Sequence, residues 1–303
     1  GYLAYNLKQS NIVGAGYFYF DHFNKKIIPK YNPFKITDNS GLLHLHKATG
    51  VLGNTAQIEN SLEFTGFINS KQDEDGIIRK TPLLIEFQGD IFTHLSLSTF
   101  LKANGIRQAQ VLKDQYGPYI KAGKHKIPIT KDGYIQMRFK GPAKSYKFIS
   151  AVDILNNNFL QADIQNKIIL IGSSAVGLND IYHTIYDSKF PGVEIHAVII
   201  DNIYKNQTII EPIWRQNLIF GVCVATGIFM AFLFFNSSGP TALFFGTLTW
   251  ICIAFISSIV SYMKLLIFIS PIQPGLISIS LFSFFSLFRY AISREASFLW
   301  FKK

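Results

Sequence analysis

The stretch "KIILIGSSAVGLNDIYHTIYDSKFPGVEIHAVIIDNI", residues 167–203, gathers Gly172, Ser173, Ser174, Asp180, His183, Glu194 and His196. Three chemistries come to mind. A strand that runs into Gly172-Ser173-Ser174 can turn its backbone N–H groups toward an anion. Ser174, Asp180 and His183 are the residue types of a hydrolytic triad. Asp180, His183, Glu194 and His196 could offer oxygen and imidazole to a metal ion.

Spacing argues against the stronger versions of each. A phosphate-binding P-loop ends in Gly-Lys-Ser/Thr, and no lysine stands there. A nucleophile elbow centred on Ser174 needs a glycine two residues on, where this chain has Val176. Glu194 and His196 are two apart, so on one helix they point in different directions. If the helix begins only at His196, Glu194 sits at its N-terminus and favours the dipole. The expected site is therefore a ligand-contacting or signalling edge made of Gly172, Ser173, Ser174, Asp180 and His183, with no catalytic residue, no metal and no cofactor. Elsewhere, Asp73-Glu74-Asp75 lacks the spacing of a calcium loop and reads as a solvated turn reversed at Asp75-Gly76. "GAGYFY" at Gly14 lacks the third glycine of a dinucleotide fingerprint. His44 and His46 alternate as on one face of a surface strand.

The elements that must position these residues alternate between strands and helices. "NIVGAGYFYF" and "LEFTGFIN" are rich in β-branched and aromatic residues and read as strands. "GIIRKTPLLIEFQGDIFTHLSL" is strand-like and runs into the helix "HLSLSTFLKANG", stopped by Gly105. Asp132-Gly133, inside "KIPITKDGYIQMRFKG", is a hairpin signal between alternating apolar residues. "ISAVDILNN" reads as a short helix. "KIILIG" is wholly apolar, as a strand covered on both faces would be, and "GVEIHAVIIDNIYKN" is an amphipathic helix. The expected fold is an α/β domain with a mixed sheet.

The last third of the chain is different. Lys264 is the only charge between Leu218 and Phe288. A bilayer core takes about 20 apolar residues per helix, and three candidates follow one another: 217–235, 241–262 and 271–290, with "KLLIFIS" as a reentrant or interfacial turn. A buried bundle of a soluble protein is the alternative, disfavoured because each helix is apolar on all faces. The expected organisation is a domain over 1–212, an all-α three-helix transmembrane segment over 213–290 and a juxtamembrane helix over 291–303. Arg289, Arg294, Lys302 and Lys303 favour a cytoplasmic C-terminus, which puts residues 1–212 outside. Net charge is +10 over the chain, with 23 Lys+Arg against 18 Asp+Glu before residue 213 and 6 against 1 after it. So thin a spread is not a nucleic-acid signature. Both cysteines, Cys223 and Cys252, lie in the apolar segments, which leaves the domain no disulfide framework. The opening "GYLAYNLKQSNIVGAG" reads as the middle of a domain, with a true N-terminus further upstream.

Five pieces in order, "GFINSKQDEDGIIRKTPLLIEFQGDIFTHLSLS", "DGYIQMRFKGP", "FISAVDILNN", "NKIILIGSSAVGLNDIYHT" and "FPGVEIHAVIIDNI", resemble a bacterial sensor module. This is the second type of CHASE domain, the cyclase- and histidine-kinase-associated sensory extracellular domain. The resemblance covers roughly residues 10–212, and three following helices are also usual there. It implies a multi-pass protein of the bacterial inner (plasma) membrane that relays an external stimulus to a cytoplasmic cyclase, histidine kinase or serine/threonine kinase. It carries over no ligand. The tail "AISREASFLWFKK" is similar to the stretch ahead of class III adenylate or guanylate cyclase domains, which points to a cyclase. A shift or rotation passed along such a helix needs a second copy to act against, so a homodimer is expected in the bilayer, with an unknown extracellular ligand or protein as partner and no nucleic acid. A stand-alone membrane-anchored binding protein and an extracytoplasmic hydrolase using Ser174, Asp180 and His183 remain as other readings.

Overall fold

The computed structural model describes residues 1–21, 33–173, 180–237 and 239–300, with side chains through residue 294. The chain forms two compact units, Gly1–Ile210 and Glu211–Lys303.

The first unit opens with helix α1 (Tyr2–Gln9) and strand β1 (Val13–Tyr19), followed by β2 (Lys35–Asp38), β3 (Gly50–Leu52) and the single turn α2 (Ala56–Glu59). Next come β4 (Phe64–Phe67), β5 (Lys80–Pro82), β6 (Leu84–Phe87) and β7 (Asp90–Thr93), the last running into helix α3 (Leu95–Ala103). A meander of β8 (Gln108–Asp114), β9 (Gly117–Ala122) and β10 (His125–Pro128) precedes β11 (Tyr134–Gln136). Short helices α4 (Ala151–Leu155) and α5 (Gln161–Ile164), the two-residue strands β12 (Ile181–Tyr182) and β13 (Phe190–Pro191), and helix α6 (Gly192–Lys205) complete it.

Pairing is mixed, as expected. β1 runs antiparallel to β3 and parallel to β4. A second sheet, in the order β10-β9-β8-β2, is antiparallel except for the parallel pair β2 and β8. β6 with β7, β5 with β11 and β12 with β13 form two-stranded ribbons. Helices α3 and α6 bury their apolar stripes in the core with these strands. Leu97, Phe100 and Leu101 of α3 meet Ile195, Val198, Ile199 and Ile203 of α6 in one core with Val111, Ile120 and Ile135. The spacing three and four along α6 is what places those four on one side. Asn206, at φ +51°, ends α6, and Gly105, at φ +66°, follows the end of α3, where its lack of a side chain makes the left-handed turn cheap.

Two local signals have a different outcome. Asp132-Gly133 does form a turn: Gly133, at φ +78°, donates its N–H to Thr130 O at 2.9 Å. Its flanking strands do not pair with each other. All four residues of β10 pair with β9, and β11 pairs with β5. The apolar run 167–172 is not a strand. Residues 168–172 make no backbone hydrogen bond among the described residues, and Ile169 is 53% exposed and Ile171 95%. Composition made this segment fit for a sheet interior, but a strand needs a neighbour to satisfy its N–H and C=O groups, and no described strand lies alongside. From 140 to 183 no described residue is buried, although Phe148, Val152, Leu155 and Leu160 are apolar.

The second unit contains helices α7 (Arg215–Asn236), α8 (Pro240–Leu265) and α9 (Ile272–Trp300). Their most apolar windows have mean hydropathy 2.5, 2.1 and 1.6, long and apolar enough to cross a membrane, the third over Ile272–Arg294. Several polar side chains within them are satisfied internally, as a lipid surround demands, while Ser286 Oγ of α9 is buried without a partner among the described residues. Trp250 Nε1 donates to Thr226 Oγ1 at 3.0 Å, and Ser258 Oγ donates to Ile269 O at 2.6 Å. The latter bond ties the "KLLIFIS" turn back onto α8.

Candidate functional site

The first turn of α6 collects two of the expected site residues, Gly172 and Asp180. Gly172 lies so close to it that a Cβ there would stand 2.8 Å from Val193 Cβ. The glycine is thus explained by a close approach rather than by a turn. Asp180 reaches the same turn by two routes. Its carbonyl accepts from Gly192 N at 2.9 Å, and its carboxylate lies directly against Gly192, where any side chain would collide with it. β12 and β13 hold the two segments together through the Ile181–Pro191 and Tyr182–Phe190 pairs. Ser173, half-buried, continues from Gly172, while Ser174 lies outside the described residues.

Asp180 changes the chemistry of this turn. An uncapped helix start presents free N–H groups and a partial positive charge, which suits an anion. Here a carboxylate already sits against it, so an incoming anion would meet like charge. Burial raises the Asp180 pKa, which leaves a carboxyl readier to hold its proton. Tyr182, two residues on and on the same side of its strand, lies near the Ser70 hydroxyl, and burial followed by the Asp180 charge raises its pKa as well. A half-buried carboxyl beside a phenol and a serine hydroxyl favours a hydrogen-bonding neutral group or a cation over a phosphate.

His183 is not part of that cluster. It is exposed, one residue beyond Tyr182, so its side chain leaves the opposite side of the strand from Asp180. Its backbone has a structural duty: His183 O accepts from Ile78 N at 2.8 Å and ties β12 to the chain after the acidic turn. That turn is built as expected, with Gly76 N donating to Asp73 O, and both of its aspartates are paired. Arg79 bridges Asp73 and Asp75. His44 and His46 are both exposed and lie outside any strand. Among the described residues no three His, Cys, Asp or Glu side chains are grouped to hold a metal ion.

Glu194 lies in the first turn of α6, which begins at Gly192 rather than at His196. Its carboxylate is buried, and its oxygens accept from the backbone N–H groups of Lys144, Ser145 and Tyr146 at 2.8, 2.9 and 3.4 Å. It pins a loop rather than facing a ligand. His196, two residues further, stacks on His94 with ring centroids 4.9 Å apart, and Ser96 Oγ lies 3.0 Å from its Nδ1. Nothing local announces this pair. The one available cue was the "HLS" start of α3, where a histidine stands at an N-cap position more often filled by Ser, Thr, Asp or Asn.

A family model described as the CHASE2 domain matches residues 3–233, which takes in all but the first two residues of the first unit and most of α7. No curated protein and no solved structure matches the chain.

Proposed function

The chain belongs to the CHASE2 domain family, and on that premise we propose that it is the sensory input half of a bacterial membrane receptor whose first unit faces outward. A membrane sensor input module is what a CHASE2 unit followed by three apolar helices fits. The finer reading places residues 1–212 on the extracytoplasmic side of the inner membrane, residues 213–290 in the bilayer and residues 291–303 on the cytoplasmic side. Arg289 and Arg294 at the far end of α9, with Lys302 and Lys303 beyond them, support that orientation through the bias of basic residues toward the cytoplasm. The effector is a nucleotide cyclase, a reading supported by the likeness of the stretch before Lys303. It works as a homodimer, in which paired α9 helices shift against one another.

The observation that carries this reading is chain continuity. α6, whose first turn gathers Gly172, Asp180 and Gly192, leads through residues 206–214 into the first apolar helix. A ligand bound at Gly172, Ser173, Ser174, Asp180 and His183, or at the Asp180–Tyr182 pair within that set's reach, would act on the element that continues toward the membrane. A fluorescent protein fused after Lys303 should fluoresce in cells, as only a cytoplasmic fusion does. With a cyclase catalytic domain joined at the same point in cells lacking their own, Asp180→Ala or Tyr182→Phe should shift cyclic-nucleotide output at least twofold. An output that ignores both changes and also survives deletion of residues 1–210 would remove the sensor reading.

A further inference from the structure

Two imidazoles face each other in the contact between α3 and α6, and no acid among the described residues is bonded to either. His94 is fully buried, and its Nδ1 accepts from Ser96 N at 3.3 Å as the N-cap of α3. A neutral ring that accepts at Nδ1 carries its proton on Nε2, and that Nε2 is buried without a hydrogen-bond partner. The His196 ring lies across it, tilted by only 29°, with Ser96 Oγ spanning the two helices. From β4 the pair is faced by Phe67, edge-on to His94 at 5.2 Å.

The charged groups nearby are otherwise engaged. Glu194, two residues before His196, is occupied by the amides of 144–146. Asp180 lies against Gly192, one helical turn before His196 and on its side of α6. No ion pair joins either carboxylate to a ring among the described residues.

We propose that the His94–His196 stack is an acid-labile latch between α3 and α6, and that protons are a stimulus this domain reads. A proton on either ring would place a cation in the contact against a second ring, at fully buried His94 and half-buried His196, with no carboxylate bonded to it among the described residues. The latch opens instead, because a ring released to water binds the proton at its ordinary affinity. Burial lowers His196 to about 4 and His94 well below its usual range, the neighbouring ring adding to the second.

The sign follows from linkage. A released histidine titrates near pH 6.5, while the closed pair stays neutral to about pH 4. Between those limits the open state binds protons that the closed state does not, so opening grows as pH falls, by about tenfold per pH unit for each histidine. Above pH 6.5 the latch is closed and indifferent to pH. α6 leads toward the first apolar helix, so its release is a change the membrane segment could receive. Only the role of protons as a stimulus rests on the sensor reading; the latch itself does not.

The test uses the full chain in lipid nanodiscs. Hydrogen exchange of α6 and α3 amides is followed from pH 7.5 to 4.5, with the β8–β9 hairpin of the same molecule as reference and the intrinsic pH dependence of exchange removed. Opening of α6 relative to that hairpin should rise at least tenfold per pH unit below pH 6.5. His196→Phe keeps a stacked ring and should lower the slope by about one proton, and so should His94→Asn, which keeps a capping acceptor. A flat wild-type profile, or a slope that neither substitution changes, overturns the latch. Should the variants fold poorly, histidine NMR of the unaltered chain decides. Rings that stay neutral until α6 opens support the proposal, and rings that titrate near pH 6.5 with α6 still protected overturn it. An α6 that opens in acid while the fused cyclase output stays constant would leave the latch standing and remove the role of protons as a stimulus.

Discussion

The side chain of Asn202 closes on the backbone of Arg138 from both sides: Oδ1 accepts from Arg138 N at 2.7 Å, and Nδ2 donates to Arg138 O at 2.9 Å. An amide is the one uncharged side chain head that can both give and accept in this way, so a buried residue of α6 substitutes for a missing neighbour strand beyond β11. Asn202→Ala leaves both backbone groups without partners and should cost about 2–4 kcal/mol. Asn202→Asp keeps the acceptor but loses the donor and should also destabilise. Urea denaturation of the first unit checks both, and wild-type stability in Asn202→Ala would show that the clamp contributes nothing.

Gly66 carries strand β4 against the start of α3. A Cβ on it would stand 2.5 Å from Leu95 Cα and 2.8 Å from Leu95 N, both backbone atoms that cannot swing aside. Gly66→Ala should therefore destabilise by about 1–3 kcal/mol or more. Gly105→Ala has open space around it and meets only its positive φ, a cost of about 1–2 kcal/mol. Thermal unfolding of the two variants should rank Gly66→Ala as the more harmful, and the reverse order would contradict this packing.

The acidic turn gives a pH signature of its own. A hydrogen bond from Arg79 and one from the Ile77 N–H hold Asp75 down at about 2, from an ordinary value of 3.8. A depressed carboxylate stabilises the fold above its unfolded value and loses that contribution as pH falls through its folded value. The turn should thus stay paired down to about pH 2, and because Asp75 is exposed the effect on global stability should be small. Carboxyl NMR titration should place its midpoint near 2, and Arg79→Gln should return it toward 3.8. An Asp75 midpoint that Arg79→Gln leaves in place would refute the pairing.

Arg289 in α9 reaches across to the end of α7, where its guanidinium donates to Phe234 O, Ser237 O and Ser237 Oγ. The last carbonyls of a helix have no partner within it, and in an apolar surround they need one. Arg289→Leu should strip that cap and lower stability by about 1–3 kcal/mol, read as a lower midpoint of thermal unfolding in detergent. Arg289→Lys should recover only part of the loss, since a single ammonium cannot match the planar fork. Full recovery by lysine would point to charge alone.

What the sequence determined by itself is what short-range chemistry controls. The three apolar helices needed only composition and length; they start and stop within a few residues of 217–235, 241–262 and 271–290, and α9 runs on past Tyr290 into the stretch read as a juxtamembrane helix. α3 and α6 followed from their spacing and their stop residues, and the α/β character with mixed pairing followed from alternating strand and helix patterns. Pairing was a different matter, because a strand's partner is chosen by what else is available in space. Asp132-Gly133 therefore made a turn whose two strands joined different sheets, and the apolar run at 167–172 found no described strand partner. The same holds for the candidate site. Sequence proximity suggested Gly172, Asp180 and His183 together, yet strand alternation sends the side chains of Asp180 and His183 to opposite sides, and a close approach to α6 sets Gly172 against Val193. The His94–His196 stack and the Asn202 clamp join residues far apart in the chain. No local pattern encodes such contacts, because they exist only once α6 has packed against α3 and the sheets.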